Sequence, residues 1–209
     1  MMMKKFICVS PFQFPDSLRA GIYVPANSST LAYGKAVSFP IIPVINGYTE
    51  KGEEITVITV VADYENAKAN YKTMKKAVNE LAKEKELKIT YEEVDIAYNN
   101  DVKVQLGVFT KLTNLMCDND KLYCDITYGS KVMNQILTMS LNYGYRVRSD
   151  VMIGCMAYGE KDHNTNEMKI YDITSLIYLD EIVRLTAERG IGDPTDTIKM
   201  MMDWDDEND

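Results

Sequence analysis

Apolar runs alternate with amphipathic stretches along most of the chain. Residues 6–9, 54–62 and 121–126 form apolar runs of the kind typical of strands that are covered on both faces of a parallel sheet. Between Asn66 and Glu86, apolar side chains recur at steps of three and four, which predicts an amphipathic helix. The alternation predicts an α/β fold with a doubly wound, mostly parallel sheet, which is Rossmann-like.

The same periodicities predict the other regular elements, among them a terminal antiparallel hairpin around the polar loop at 159–167. The helix that begins at Lys131 is expected to end near Gly144, because glycine readily adopts the left-handed conformation that terminates helices. The remaining predicted strands and helices are, in chain order, 87–97, 102–116, 131–144, 151–158, 168–171 and 175–189.

One segment near the start of the chain is rich in proline. Proline lacks a backbone N–H, so this segment is not expected to form a regular helix, and a short strand is predicted at Ile41–Ile45. We expect a single domain at residues 1–190 with a loop or lid excursion at residues 11–52, followed by a short Met-rich and acidic tail at residues 191–209. The prolines of the excursion are Pro11, Pro15, Pro25, Pro40 and Pro43.

The net charge narrows the range of partners. A formal charge of −8 over 209 residues disfavours broad binding to double-stranded nucleic acid or to an anionic membrane, since both require a basic face. No apolar run approaches the roughly 18 residues that a membrane span needs, so we expect a cytoplasmic protein. A small anionic ligand in a local pocket remains compatible with this charge.

The cysteines give no sign of a metal site. There are four, without a Cys-x-x-Cys pair, and His163 is the one histidine of the chain. We therefore expect reduced cysteines, most of them in the core, with no bound metal and no cofactor. The four are Cys8, Cys117, Cys124 and Cys155.

The most distinctive stretch is the turn at residues 125–131, where an apolar strand stops and a helix begins at once. The free N–H groups of a helix start bind anions, above all phosphates. A lysine in the first helical turn opposes the helix dipole, and this placement is unfavourable unless an anion lies beside it. The position of Lys131 therefore favours a role in anion binding. The glycine spacing matches neither a Walker loop nor a dinucleotide fingerprint nor a nucleophile elbow. The alternative is that Thr127 or Ser130 simply caps the helix and Lys131 is a solvated surface residue.

Two segments carry a family resemblance. The run from Asp125 to Lys131 resembles the strand-to-helix signature of the CRISPR-associated Rossmann fold (CARF) proteins. Residues 153–159, followed after a polar loop by residues 170–174 and a helix, resemble the closing strand pair and last helix of that family. With the first strand ending at Ser10, the resemblance covers most of residues 6–189, but not the excursion or the tail.

The resemblance implies a homodimer that binds a cyclic oligoadenylate, with cyclic tetraadenylate as the expected ligand, in type III CRISPR antiviral defence. Because a symmetric ring fits a two-fold cleft, each subunit would offer the same loops to equivalent phosphates. Tyr158 and Gly159 match a loop near the adenine pocket. The ligand-binding residues carried over from the family are Ser10, Thr127, Tyr128, Gly129, Ser130, Lys131, Tyr158 and Gly159.

The sequence and the resemblance to CARF proteins are compatible with three functions. The first is a slow, metal-independent ring nuclease in which a ribose 2′-hydroxyl attacks the adjacent phosphate, with Lys131 and Ser10 as catalytic residues. The second is a non-catalytic sensor that regulates a separate effector protein. No segment resembles the Arg-and-His ribonuclease domain that family members usually carry, so the protein is expected either to destroy the messenger itself or to pass the signal on. The third is a structural subunit of a larger assembly, to which Met200, Met201, Met202 and Trp204 would dock.

Overall fold

The computed structural model describes residues 2–99, 101–162, 165, 167–190, 192, 195 and 198. They fall into two compact units, Met1–Asp172 and Ile173–Asp209. His163 and the tail residues Met200, Met201, Met202 and Trp204 lie outside the described residues. Among the described helices, none combines the length and the apolar character needed to cross a membrane.

The first unit is built around one sheet, and the predicted α/β class is confirmed. Its strands stand in the order β2-β7-β6-β5-β1-β3-β4, and every neighbouring pair is parallel except the antiparallel pair β6–β7. The strands are β1 (Lys4–Val9), β2 (Tyr23–Pro25), β3 (Glu54–Ala62), β4 (Lys88–Ile96), β5 (Lys121–Asp125), β6 (Met152–Lys161) and β7 (Met168–Asp172).

In the described part of the first unit, four α-helices cover this sheet. Between β1 and β3 the chain passes through β2, at the far edge of the sheet, and through α1; it then continues outward to β4 and returns past β1 to β5 and β6. Because such crossovers are right-handed, the two directions of travel place helices on opposite faces. Accordingly, α1 packs on α2 and α3 packs on α4. The helices are α1 (Ile41–Tyr48), α2 (Glu65–Lys85), α3 (Val102–Asn114) and α4 (Lys131–Val147).

The prediction of a strand at Ile41–Ile45 is wrong, because these residues begin α1. Pro40 is the N-cap and Pro43 lies in the first turn, where backbone N–H groups have no intrahelical partner, so neither proline costs the helix a hydrogen bond. Ile41 and Ile45 are buried in the core beneath this helix. The proline-rich segment 11–52 therefore contributes a core helix as well as the strand β2.

The prediction that the fourth helix ends at Gly144 is also wrong, since α4 continues to Val147. Gly144 is buried inside the helix, where a Cβ would lie 2.9 Å from Met116 Sδ and 3.0 Å from Leu122 Cδ1. Glycine is therefore present because α4 packs closely on its neighbours. It does not form a left-handed helix end.

The second unit contains α5 (Ser175–Glu188), which confirms the predicted last helix. Arg184 forms ion pairs along this helix with Glu181 and Glu188. Gly190 follows the helix with a φ of +69°, the left-handed conformation that commonly ends helices.

Candidate functional site

The turn at residues 126–130 lies at the point of the sheet where the order of strand addition reverses. It follows β5, which leads through α4 to β6, whereas the loop after β1 first runs the other way, to α2 and the loop after β4, where Asn70 donates to the Pro11 carbonyl and Phe12 meets Tyr98. Cys8 of β1 is level with Asp125 of β5. In open α/β sheets, ligands bind in the crevice at this place.

Three hydrogen bonds hold the turn in its conformation. Thr127 donates its backbone N–H to Asp125 Oδ1 at 2.9 Å. The Gly159 N–H donates to Thr127 Oγ1 at 2.7 Å, and Asn134 Nδ2 donates to the Ile126 carbonyl at 2.7 Å. The turn is thus tied to its own strand, to β6 and to α4. The first and second of the resembling segments meet at the Thr127–Gly159 bond.

Gly129 is required by the backbone. Its φ is +104°, a conformation that side-chain-bearing residues rarely adopt. A Cβ at this position would lie 3.2 Å from the Val9 methyl groups and 3.3 Å from Asn134 Oδ1. The glycine lets the turn approach the end of β1 closely.

Ser130 caps α4. Its Oγ accepts a hydrogen bond from the Met133 N–H at 3.1 Å, and its carbonyl accepts from the Asn134 N–H at 3.0 Å. The hydroxyl proton of Ser130 is not used by this cap and can be donated to a ligand. Lys131 is the first residue of the helix, and its side chain is exposed.

The most informative property of the turn is its row of free donors. Among the described residues, no acceptor forms a hydrogen bond with the backbone N–H groups of the five consecutive residues 128–132. Successive free N–H groups at a helix start form a concave site for an anion, and the positive end of the helix dipole adds to the attraction. With the Lys131 ammonium beside them, these groups can bind a phosphate.

Ser10 occupies a different environment from the turn. It is fully buried, its hydroxyl donates to the Ala67 carbonyl at 2.6 Å, and its N–H donates to the Val60 carbonyl at 2.9 Å. The hydroxyl proton is therefore engaged, and the oxygen retains only the capacity to accept.

The three remaining predicted residues differ in how they relate to the turn. Tyr128 turns inward, donates its hydroxyl to the Ser38 carbonyl at 2.7 Å, and packs its ring against Phe39 with centroids 6.4 Å apart. Gly159 faces the turn, where a Cβ would come within 3.0 Å of Thr127 Oγ1. Tyr158 precedes Gly159 on β6, so its side chain projects to the opposite face of the sheet, where it stacks on Tyr171.

Sequence reasoning assigned no role to Asp125, although this carboxyl group anchors the turn. It is 3% exposed, and burial raises its pKa from 3.8 to about 6, against the opposing effect of the Thr127 hydroxyl and of the N–H groups of Thr127 and Ile41. Burial raises the pKa values of Cys8, Tyr23 and Tyr128, and the charge of Asp125 raises them further. The position of an acidic residue at the end of an apolar strand was the signal in the sequence that could have indicated this anchoring role.

Elsewhere in the first unit, a cavity of about 380 Å³ lies beside β2 and β7 and contains none of the predicted site residues. Within the described part of the chain, no group of three or more potential ligands could hold a metal ion. None of the four cysteines forms a disulfide bond; Cys8, Cys124 and Cys155 are buried and Cys117 is exposed.

Comparison with protein-family models and with curated proteins finds no match to this chain. The resemblance to CARF proteins therefore stays a prediction based on the two sequence segments.

Proposed function

We propose that the protein binds a cyclic oligoadenylate at the turn between β5 and α4, with cyclic tetraadenylate as the first ligand to test. The observation that carries this proposal is the row of unpartnered N–H groups at 128–132 beside Lys131, at the switch point of the sheet. A phosphate diester presents two non-bridging oxygens, which share one negative charge, to such a row. The two segments that resemble CARF proteins support adenylates over other phosphates.

The proposed assembly is a homodimer formed through α3 and α4. These two helices pack side by side and carry large apolar residues that are exposed, including Leu106 at 61% and Met139 at 53%. Because α4 begins at the turn, a two-fold contact through this surface would place the two turns at one cleft. A ring of adenylates could then contact both subunits equivalently.

The proposal has two versions, a ring nuclease and a non-catalytic sensor, which differ in whether the ring is cleaved. In a ring nuclease, a ribose 2′-oxygen bonds to the adjacent phosphorus and the 5′-oxygen leaves, which gives a 2′,3′-cyclic phosphate; the 2′-hydroxyl proton passes to solvent and the leaving oxygen takes one up. Lys131 would stabilise the charge that develops on the phosphoryl oxygens. The engaged hydroxyl of Ser10 favours the second version, a sensor that binds without cleavage and signals to a separate effector.

The test of binding uses labelled cyclic tetraadenylate and the Lys131→Ala variant. Losing one charge-assisted contact should weaken binding about tenfold or more, and the loss should shrink as salt is raised. Lys76→Ala is the matched control, because Lys76 is an exposed lysine on α2, and it should bind as the wild type does. An unchanged affinity of Lys131→Ala would remove the role assigned to this lysine.

The same reactions decide between the versions. Linear products with a 2′,3′-cyclic phosphate after prolonged incubation with stoichiometric protein support the nuclease, whereas an intact ring supports the sensor. If no ring of three to six adenylates binds, both versions fall and the structural-subunit reading, in which Ser130 is an ordinary helix cap, takes their place.

A further inference from the structure

Three aromatic rings meet at the same carboxyl edge of the sheet as the turn. They are Phe12 from the loop after β1, Tyr64 from the loop after β3 and Tyr98 from the loop after β4. Tyr64 and Tyr98 are stacked with centroids 4.6 Å apart and an interplanar angle of 13°, and Phe12 meets Tyr98 edge-on at 5.4 Å. We call this cluster the aromatic platform.

Hydrogen bonds from two asparagines of α2 hold the platform in place. Asn70 is 1% exposed, and its Nδ2 donates to the carbonyls of Pro11 and Gln13 at 2.9 and 2.8 Å, on either side of Phe12. Asn66 Nδ2 donates to the Tyr64 hydroxyl at 3.1 Å. Because these bonds fix the loop, the rings are arranged before any ligand arrives.

A further bond aligns the two tyrosine loops. The Asp63 N–H donates to the Ile96 carbonyl at 2.7 Å, which joins the ends of β3 and β4 just before Tyr64 and Tyr98. Tyr98 nevertheless remains 54% exposed. A large ring that stays so accessible while its neighbours hold it in a stack is available to an incoming planar group.

The turn and the platform flank the end of β1. Val9 of this strand contacts Gly129 of the turn, and three residues later the chain reaches Phe12. Neighbouring strands lie about 4.8 Å apart, so the loops after β5 and β4 are separated by about 14 Å across the sheet. A ring of several nucleotides spans this separation.

The charges near the two surfaces differ. The turn offers N–H groups and Lys131, whereas the sequence neighbours of the platform include the exposed acids Asp63 and Asp101. Phosphates are attracted to the first surface. At the second surface Asp63 is ion-paired with Lys68, and an uncharged base can approach either surface. The turn therefore suits the phosphate of a nucleotide, and the platform suits its base.

We propose that the aromatic platform binds a nucleobase of the ligand by stacking on Tyr98. This inference rests on the proposed function, since it assigns the base of the same cyclic oligoadenylate whose phosphate lies at the turn. Stacking requires only a planar face, and the platform adds affinity for any adenylate whose base reaches it.

The test compares three substitutions at Tyr98 by titration with cyclic tetraadenylate. Tyr98→Phe keeps the ring and should bind as the wild type does. Tyr98→Ala should weaken binding about 10- to 100-fold, and Tyr98→Leu, which keeps apolar bulk without an aromatic face, should bind as weakly as Tyr98→Ala. Thermal melting checks that each variant is folded, and the exposure of Tyr98 favours this.

The outcomes separate this inference from the proposed function. If Tyr98→Ala and Tyr98→Leu bind as tightly as the wild type while Lys131→Ala binds weakly, the platform is not a base site and the phosphate site stands. If Tyr98→Leu binds as tightly as the wild type and Tyr98→Ala does not, the contact is apolar and the stacking inference is overturned. Absence of binding by the wild type overturns the proposed function, and the base site with it.

Discussion

Replacing Asp125 by asparagine should change how the stability of the protein depends on pH. Asp125 is buried at the end of β5, and its pKa lies at about 6, above the ordinary value of 3.8. The folded state therefore retains the proton through a range of pH in which the unfolded state has lost it. Stability must fall as pH rises through this range, because the folded state binds more protons there.

The size of the effect follows from the two pKa values. Raising a pKa from 3.8 to about 6 corresponds to about 3 kcal/mol, since one pH unit is worth about 1.4 kcal/mol. This stability is fully present below the unfolded pKa, is lost mainly between pH 4 and 6, and is absent above about pH 7. An asparagine cannot ionise, so Asp125→Asn should lack this pH dependence.

The assay is urea unfolding of the wild type and Asp125→Asn at several pH values from 4 to 8. The amide oxygen can still accept from the Thr127 N–H, and whatever stability the second carboxyl oxygen contributes is lost at every pH. This constant loss cancels when the difference between the two proteins is compared across pH. The variant should gain about 2–3 kcal/mol relative to the wild type between pH 4 and pH 8. A difference that stays the same at every pH would refute the reasoning.

Three further predictions concern stability and reactivity. Gly129→Ala should lower the free energy of unfolding by about 1–2 kcal/mol more than Gly52→Ala, measured by chemical unfolding. Both glycines have a positive φ, but of the two only Gly129 lacks space for a Cβ. Lys5→Met should cost about 3–5 kcal/mol because it leaves Asp120 buried without its 2.7 Å ion pair, whereas Lys4→Met, at a more exposed pair, should cost less; equal losses would contradict this. A thiol reagent should modify Cys117 rapidly and leave the three buried cysteines unmodified until the protein unfolds.

Much of the fold could be predicted because its elements carry their own periodic signal. The apolar steps of α2 and the hairpin of β6 and β7 are visible in the residues themselves. By contrast, β2 is three residues long, too short for any period, and its place beside β7 depends on a partner far along the chain. The helix α1 was missed because its prolines were interpreted as breakers, although both lie where a helix start tolerates them.

The candidate site was predictable in position and less so in orientation. An apolar strand followed at once by Thr127, Gly129 and Ser130 is enough to place a turn at the carboxyl edge of the sheet. Side-chain direction depends on tertiary packing, so the sequence could not reveal that Ser10 is buried against Ala67 or that Tyr158 faces away from the turn. The platform was missed because its three rings lie in loops that only the sheet brings together.

The edge strand β2 has a consequence for the order of folding. It pairs with β7, and Asn27 exchanges hydrogen bonds with the backbone of Asp172, 145 positions later in the chain. A ribosome releases β2 long before β7, so the early segment must wait unpaired while most of the sheet assembles. Closing so long a loop is entropically costly and slow. The outer edge of the sheet should therefore be the last part to form, and refolding should end in a slow phase that docks the proline-rich segment.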